Sequence, residues 1–382
     1  MVIRSERLVR PLGIFCLSYY FPDLSQRFTE VPATELIPVF LPAAIFYKFL
    51  PLGIADLIKD IFLLSLTLFS IGSIIEGICG RFYTISIMIL IVGYPSFIHQ
   101  IGESYATGYV ITYLSLTLYF IYQATIKEEK SISRKIYLII SGIFYCLSLM
   151  SAILSIIYII PIVFFFFLNI YSRKKIDFYS FLENSKWFVF GGFISLIIVY
   201  LISIKLYGIT ASLPLANNIR KLISFANNDA FRVPLSMQFI KNANWLLMPA
   251  FVCSFSFIEI INNKYKKVIS PDRETSSLIT SILIVGPISF LILLFLNLFM
   301  NQWTLQYSYF SQSLPFIFLS FGGCLYFTFG KNKGYISILP SLLLTISSLI
   351  STRFIFIHAP ITYLNQTIQN PDIYKNFIEV YN

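Results

Sequence analysis

The chain has 382 residues, of which 57% are hydrophobic, 18% aromatic and only 12% charged, with a net charge of +10 and a mean hydropathy of +0.77. A soluble domain carries about 25% charged residues. This composition therefore leaves too little polar surface to wrap a water-facing globule, and it excludes a soluble enzyme, a nucleic-acid-binding module and a disulfide-stapled extracellular scaffold. What remains is an all-α, polytopic integral membrane protein.

The N-terminal stretch MVIRSERLVRPLGIFCLSYYF sets Arg4, Arg7 and Arg10 before a short apolar segment. That segment, about eleven residues, is half of the roughly 20 that cross a bilayer. It does not read as a cleavable signal peptide; it is expected to be a partial first helix or to continue from chain further upstream. The run 35–50, ELIPVFLPAAIFYKFL, is short and holds Pro38 and Pro42, so a half-buried or interface-lying helix is expected rather than a span. Ten apolar runs then follow as candidate spans: 54–76, 82–99, 105–125, 136–151, 152–170, 187–206, 244–261, 277–299, 308–329 and 335–352. With the partial first helix this predicts about 10–11 membrane helices in one transmembrane domain, 1–382, without internal repeats.

Basic residues sit in the short connections. Lys127, Lys130, Arg134 and Lys135 form one cluster, Arg173, Lys174, Lys175 and Lys186 a second, and Lys264, Lys266, Lys267 and Arg273 a third, with Lys331 and Lys333 in a later turn. The bias of Lys and Arg toward cytoplasmic loops places all four on the inner side, so 136–170 must cross an even number of times, as a hairpin of two short helices. The opposite face then carries the loop 22–53, a tight turn at 100–104, the long loop 207–243, the turn 300–307 and the tail from 353. The charge thus encodes orientation and not affinity for nucleic acid. Cys16, Cys79, Cys146, Cys253 and Cys324 are dispersed, without a CxxC pair or metal-ligand spacing, and read as small buried hydrophobes.

There are only eighteen acids. Glu128, Glu129, Asp177, Glu183, Asp272 and Glu274 share loops with the basic clusters and read as solvated loop charge. Asp23, Glu30 and Glu35 crowd into the outer loop YYFPDLSQRFTEVPATEL, and Glu103 sits in the short outer turn IGESYATG. Two carboxylates at a membrane surface suit a reaction in which one is general base to an acceptor hydroxyl. The other orients that hydroxyl or holds a divalent cation near a phosphate leaving group. The plainer reading is that these acids only keep the loops hydrated. No cofactor is otherwise indicated.

Asp56, Lys59 and Asp60, at i, i+3 and i+4, share a helix face near the outer end of the run 54–76. They read either as ion pairs or as a place where Lys59 holds a phosphate. The loop 207–243 is basic on the outer face, with Arg220, Lys221 and Arg232 among several asparagines. That departure from the positive-inside trend suits an anionic ligand such as a lipid phosphate, or attraction to lipid headgroups. Arg353, with His358 beyond it, is a further phosphate contact or a snorkelling anchor. His99 and Gln100 close a span beside Glu103. Trp245, Trp303, Tyr307 and Tyr309 fall at interfaces, as aromatic-belt residues do.

Residues 22–170 carry these features in a particular order. An acidic outer loop is followed by TELIPVFLPAAIFYKFLPLG, a span with Lys59 early in it, the turn ICGRF and a span ending GYPSF. Next come YATGYVITYLSLTLYFIY and, after a basic loop, SGIFYCLSLMSAILSIIYIIPIVFFFF. This order resembles the GT-C superfamily of polytopic glycosyltransferases, particularly the protein-mannosyltransferase and lipid A aminoarabinose-transferase type. The resemblance implies a sugar taken from a polyprenyl-phosphate donor at the outer face, with an acid in the first outer loop as base. Asp23 would match that acid, Lys59 the basic residue early in the second span, and Pro95 the proline closing the third. Where the family often carries an aspartate after that proline this chain has Thr107, and Glu103 is the nearest acid.

The expectation is therefore an inverting membrane glycosyltransferase of the cell envelope, in a bacterial inner membrane. Asp23, Glu103, Glu30 and Glu35 would be its candidate catalytic acids, and Lys59, Arg220, Lys221, Arg232 and Arg353 its donor-phosphate contacts. The acceptor would be a glycan, a lipid or a protein, and membrane lipids would surround the chain. An O-antigen or capsule repeat-unit polymerase is the alternative, because it too combines many spans with a long arginine-bearing outer loop. A lipid-linked sugar transporter fits less well, because transporters place ionisable groups at the bilayer midplane, whereas Glu76 and Glu259 fall near inner ends of spans.

Overall fold

A computed structural model describes residues 37–50, 52–102, 106–128, 131–173, 178–207, 246, 248–261, 273–300 and 310–348. Among the described residues every regular element is a helix. In chain order these are α1 (Ile37–Phe49), α2 (Leu52–Ile78), α3 (Arg81–Gly93), α4 (Pro95–Gly102), α5 (Ala106–Ile126) and α6 (Ile132–Ser151). A 3-10 turn, Ile153–Tyr158, leads into α7 (Ile159–Arg173) and α8 (Phe178–Tyr207). Then follow α9 (Met248–Ile261), α10 (Arg273–Met300), α11 (Leu314–Phe329), a second 3-10 turn at Lys331–Ser337 and α12 (338–348).

Five segments are long and apolar enough to cross a membrane: Leu57–Ile78, Ala106–Ile126, Ile132–Ser151, Phe181–Lys205 and Leu278–Leu296. They fit a multi-pass membrane protein and fall on five of the ten predicted runs. The other five runs, at 82–99, 152–170, 244–261, 308–329 and 335–352, coincide with shorter apolar helices of 10–17 residues. By length and composition, five helices among the described residues qualify as spans.

Two breaks explain much of the shortening. The expected span 82–99 stops at Gly93 because Pro95 disfavours helical geometry in the residue before it. Tyr94 is extended (φ −92°, ψ 103°), its N–H turning to the Ile91 carbonyl at 3.4 Å. Pro95 then opens α4, so residues 100–102 are helical and not part of a tight turn. The second break is Ala152, also extended (φ −152°, ψ 113°). Tyr145 Oη donates back to the carbonyls of Ser155 at 3.4 Å and Ile156 at 3.2 Å. A side chain can bridge ten residues in this way only if the chain reverses, because a continuous helix would carry them about 15 Å apart. The predicted reversal between 136–151 and 152–170 is present, but its arms diverge: α6 packs on α5 and α8, whereas α7 packs on α10.

Contact pairs define the direction of each helix. Thr67 meets Thr112, and Gly77 faces Tyr122, so α2 and α5 run parallel. Gly142 abuts the Phe188 carbonyl and Cys146 approaches Gly192, so α6 and α8 are parallel too. By contrast Ser141 binds the Thr117 carbonyl while Phe120 stacks on Tyr137, which makes α5 and α6 antiparallel. Tyr83 packs on Tyr326 and Phe97 on Phe318, so the α3–α4 segment opposes α11. Ser86 pairs with Ser337 and Gly93 meets Thr345, which aligns α12 with α3. Taken together these directions bring the α2–α3 turn, the α5–α6 turn, the start of α8 and the Lys331–Ser337 turn to one side. The described basic residues at these turns, Lys127, Arg134, Lys135 and Lys186 among them, share a face, as the charge pattern requires; Lys130, Lys174, Lys175, Lys264, Lys266 and Lys267 lie outside the described residues.

Helix α5 is the centre. It is buried without interruption from Ala106 to Leu118, although it carries Thr112, Ser115 and Thr117. Each of these hydroxyls donates to the carbonyl four residues before it, at 2.8–2.9 Å. A hydroxyl satisfied by its own helix can be buried in apolar surroundings at little cost. Helix α8 is peripheral, with Leu182, Val189, Phe193, Ile197 and Leu201 exposed. As expected of a half-buried segment, α1 buries Ile37, Val39 and Ala43 and exposes Leu41, Ile45 and Phe49. Cys79, Cys146, Cys253 and Cys324 are free and buried, in keeping with their reading as small hydrophobes.

Proline lies inside α1 as Pro42 and inside α10 as Pro287. A helical proline has no N–H for the carbonyl four residues earlier, which leaves Pro38 and Leu283 in want of a donor. Tyr113 Oη of α5 donates to the Pro38 carbonyl at 2.6 Å. Ser320 Oγ of α11 lies 3.0 Å from the Leu283 carbonyl and 2.7 Å from that of Ile282, and accepts from Gly286 N–H at 2.7 Å. The Pro38 carbonyl is thus served by a neighbouring helix, and at Pro287 the one Ser320 proton is shared between the Ile282 carbonyl, the nearer, and that of Leu283, the remedy available where water is absent.

Candidate functional site

Among the described residues Lys59 is an ionisable side chain set deep in the bundle near the N-terminal end of a span. It lies two turns into α2, its side chain only 3% exposed, with Nζ 3.3 Å from Asp60 Oδ1; Asp60 is 23% exposed. The neighbours are apolar or small: Ala55 and Leu63 on the same helix are buried, and α4 and α1 pack against α2. A charge in such surroundings is expensive unless paired, and Asp60 supplies an opposite charge.

The register of α2 against α5 fixes the level of this pair. Thr67 and Thr112 are 45 residues apart in sequence and their hydroxyls meet at 3.1 Å. Stepping two turns back along α2 from Thr67 brings Lys59 level with the N-terminal end of α5. Thr107, at the position where the resembled family often has an aspartate, is buried there in α5's first turn, as is Gln100 at the end of α4. The site is thus the mouth formed by the start of α2, the end of α4 and the start of α5. It lies on the side opposite the basic clusters. Helix-terminal amides act only within the first turn, so the charge at this level is that of Lys59 and Asp60, which meet at 3.3 Å.

Of the predicted site residues only Lys59 falls among the described residues. Asp23, Glu30, Glu35, Glu103, Arg220, Lys221, Arg232 and Arg353 lie outside them, as do His358 and the side chains of Asp56 and His99. Among the described residues no group of three or more His, Cys, Asp or Glu comes together. Within the basic clusters Lys127 and Glu128 are exposed, and Lys186 pairs with Glu183 at 3.2 Å with both side chains more than half exposed, as solvated loop charge should be. Arg134 differs: it is buried, at 4% exposure. Glu76 is exposed at the inner end of α2.

Sequence reasoning passed over the inter-helix polar contacts at Thr67–Thr112, Asn169–Ser281 (2.9 Å) and Ser155–Gln312 (3.4 Å). Their signal is a lone polar residue within an apolar run, which is legible only once the facing helix is known. The chain matches no protein-family model, no curated protein and no solved structure.

Proposed function

We propose that the protein is a membrane glycosyltransferase that moves a sugar from a polyprenyl-phosphate donor to a glycan, lipid or protein acceptor at the outer face of a bacterial inner membrane. The observation that carries this reading is Lys59, a buried ammonium beside one carboxylate at the mouth opposite the basic clusters. Ionisable groups kept inside a membrane bundle are costly and mark functional sites. In this reading the carboxylate of Asp23 takes the proton of the acceptor hydroxyl, and the oxygen attacks the anomeric carbon. The bond from that carbon to the phosphate oxygen then breaks, and the configuration inverts. Lys59, Arg220, Lys221, Arg232 and Arg353 neutralise the departing lipid phosphate, while Glu103, Glu30 and Glu35 orient the acceptor or hold a divalent cation. The GT-C architecture is part of the same proposal.

The test is deletion of the gene with mass profiling of the surface glycans, then complementation with wild type, Asp23→Asn, Glu103→Gln and Lys59→Met at matched membrane levels. Loss of one defined sugar, restored by wild type and not by Asp23→Asn or Lys59→Met, is the expected result. Loss of the long-chain ladder with single repeat units retained would identify a polymerase instead, and an unchanged glycan would reject both.

A further inference from the structure

On the side of the basic clusters two ammonium groups from different helices converge on one indole. Lys135 Nζ, on the first turn of α6, lies 5.3 Å from the ring centroid of Trp187, and Lys186 Nζ of α8 lies 5.7 Å from the same centroid. The convergence is built in, because α6 and α8 run parallel at backbone contact, Gly142 against the Phe188 carbonyl and Gly191 against that of Ile139. Tyr145 packs on Phe188 one turn further along.

A ring face attracts a cation, but two ammonium groups on one ring also repel each other. Among the described residues Glu183 reaches Lys186 at 3.2 Å. The indole itself is half-buried against the core, at the depth where amphipathic rings meet lipid headgroups. Exposed apolar side chains of α8, Val189, Phe190 and Phe193, continue from it along the same helix.

We infer that Lys135, Lys186 and Trp187 form a binding site for an acidic phospholipid. Its headgroup phosphate sits between the two lysines, and its acyl chains run down the apolar face of α8. The two ammonium groups select a phosphate, and the continuous apolar face selects one that carries acyl chains. This site lies on the side opposite Lys59 and does not depend on the proposed transferase reaction.

The chain has three tryptophans, so Trp245→Phe with Trp303→Phe leaves Trp187 as the only indole. Its fluorescence is read in phosphatidylcholine vesicles holding equal mole fractions of either dibrominated phosphatidylglycerol or dibrominated phosphatidylcholine. The acidic brominated lipid should quench more, with an association preference of about fivefold per lysine. Lys135→Gln with Lys186→Gln should abolish the difference. Equal quenching by the two lipids, or a difference that survives the lysine substitutions, overturns the site. Inorganic phosphate, added against chloride at matched ionic strength, should leave the difference intact. If it removes the difference, the site takes phosphate alone and the lipid assignment fails. If the tryptophan variant does not fold, the wild-type chain released from mixed-lipid nanodiscs in a mass spectrometer gives the same answer, through lipid adducts enriched in phosphatidylglycerol or not.

Discussion

Ser320 completes the helix that Pro287 interrupts. The proline leaves the Leu283 carbonyl without its helical donor, and the Ser320 hydroxyl, arriving from α11, lies 3.0 Å from that oxygen while accepting from Gly286 N–H. If this relationship holds α10 to α11, Ser320→Ala should lower stability by about 1–2 kcal/mol, as expected for a buried acceptor left unpaired. The loss should be smaller in a Pro287→Ala background, where residue 287 regains an N–H. Thermal unfolding of the four proteins in one detergent measures the coupling; equal losses in both backgrounds would reject it.

Tyr113 plays the same part for α1. Tyr113→Phe deprives the Pro38 carbonyl of its donor and should loosen α1 from the bundle without unfolding the spans. A single cysteine at Val39, on the buried face of α1, should then react with maleimide several times faster than in the Tyr113 protein. An unchanged rate would show that apolar packing alone seats the helix.

Gly191 and Gly192 make a paired test of backbone approach between α6 and α8. A Cβ on Gly191 would strike the Ile139 carbonyl, whereas one on Gly192 meets nothing nearer than 3.9 Å. Gly191→Ala should destabilise by about 1–3 kcal/mol through overpacking, and Gly192→Ala should be close to neutral. Similar effects at the two positions would show that the helices can slide apart cheaply.

Lys59 can be separated into its structural and functional parts. Lys59→Met removes the ammonium beside the Asp60 carboxylate and should cost about 2 kcal/mol, less than for a pair in which both groups are fully buried. Adding Asp60→Asn should recover most of that stability. If Lys59 also holds the donor phosphate, the double variant remains inactive despite its recovered stability. Recovered glycan synthesis would reduce Lys59 to a structural ion pair.

The directions of the helices can be checked by labelling single cysteines from either side of sealed vesicles. Positions 128, 183 and 335 are exposed and should all label from the side of the basic clusters, and position 48 of α1 from the other. A split among the first three would contradict the parallel pairing of α6 with α8 or of α3 with α12.

Much of the fold was legible in advance because hydropathy needs no partner to be read. The half-buried α1, the reversal near Ala152, the burial of Cys79, Cys146, Cys253 and Cys324 and the common side of the described basic residues all follow from local pattern. Helix length was less legible. An apolar run such as 82–99 does not reveal that Pro95 divides it, since the effect of a proline depends on whether a neighbouring helix supplies the missing donor, as at Pro42 and Pro287, or none does. Arg134 shows the limit for charges: its position in a basic cluster suggested solvent, and only the packing around α6 buries it. At the site, Lys59 was legible as an ionisable residue within a span, and ion pairing with the acids beside it was one of the two readings of that helix face. Its level beside Thr107 depends on the register between α2 and α5, which no single segment encodes.

The break at Tyr94 bears on the bilayer as well as on the fold. Helix α3, with 13 residues, is about 20 Å long, and α11, which packs against it, has 16, whereas a hydrocarbon core is about 30 Å thick. Helix α11 is buried from Leu314 to Leu325, so the lipid-facing surface here is α3 continued past Tyr94 by α4, where Ile98 is exposed. A bent pair of this kind covers less depth than one straight helix of the same length, and the lipid beside it adjusts its thickness. The protein should therefore be most stable among acyl chains somewhat shorter than those that match the 30-residue α8.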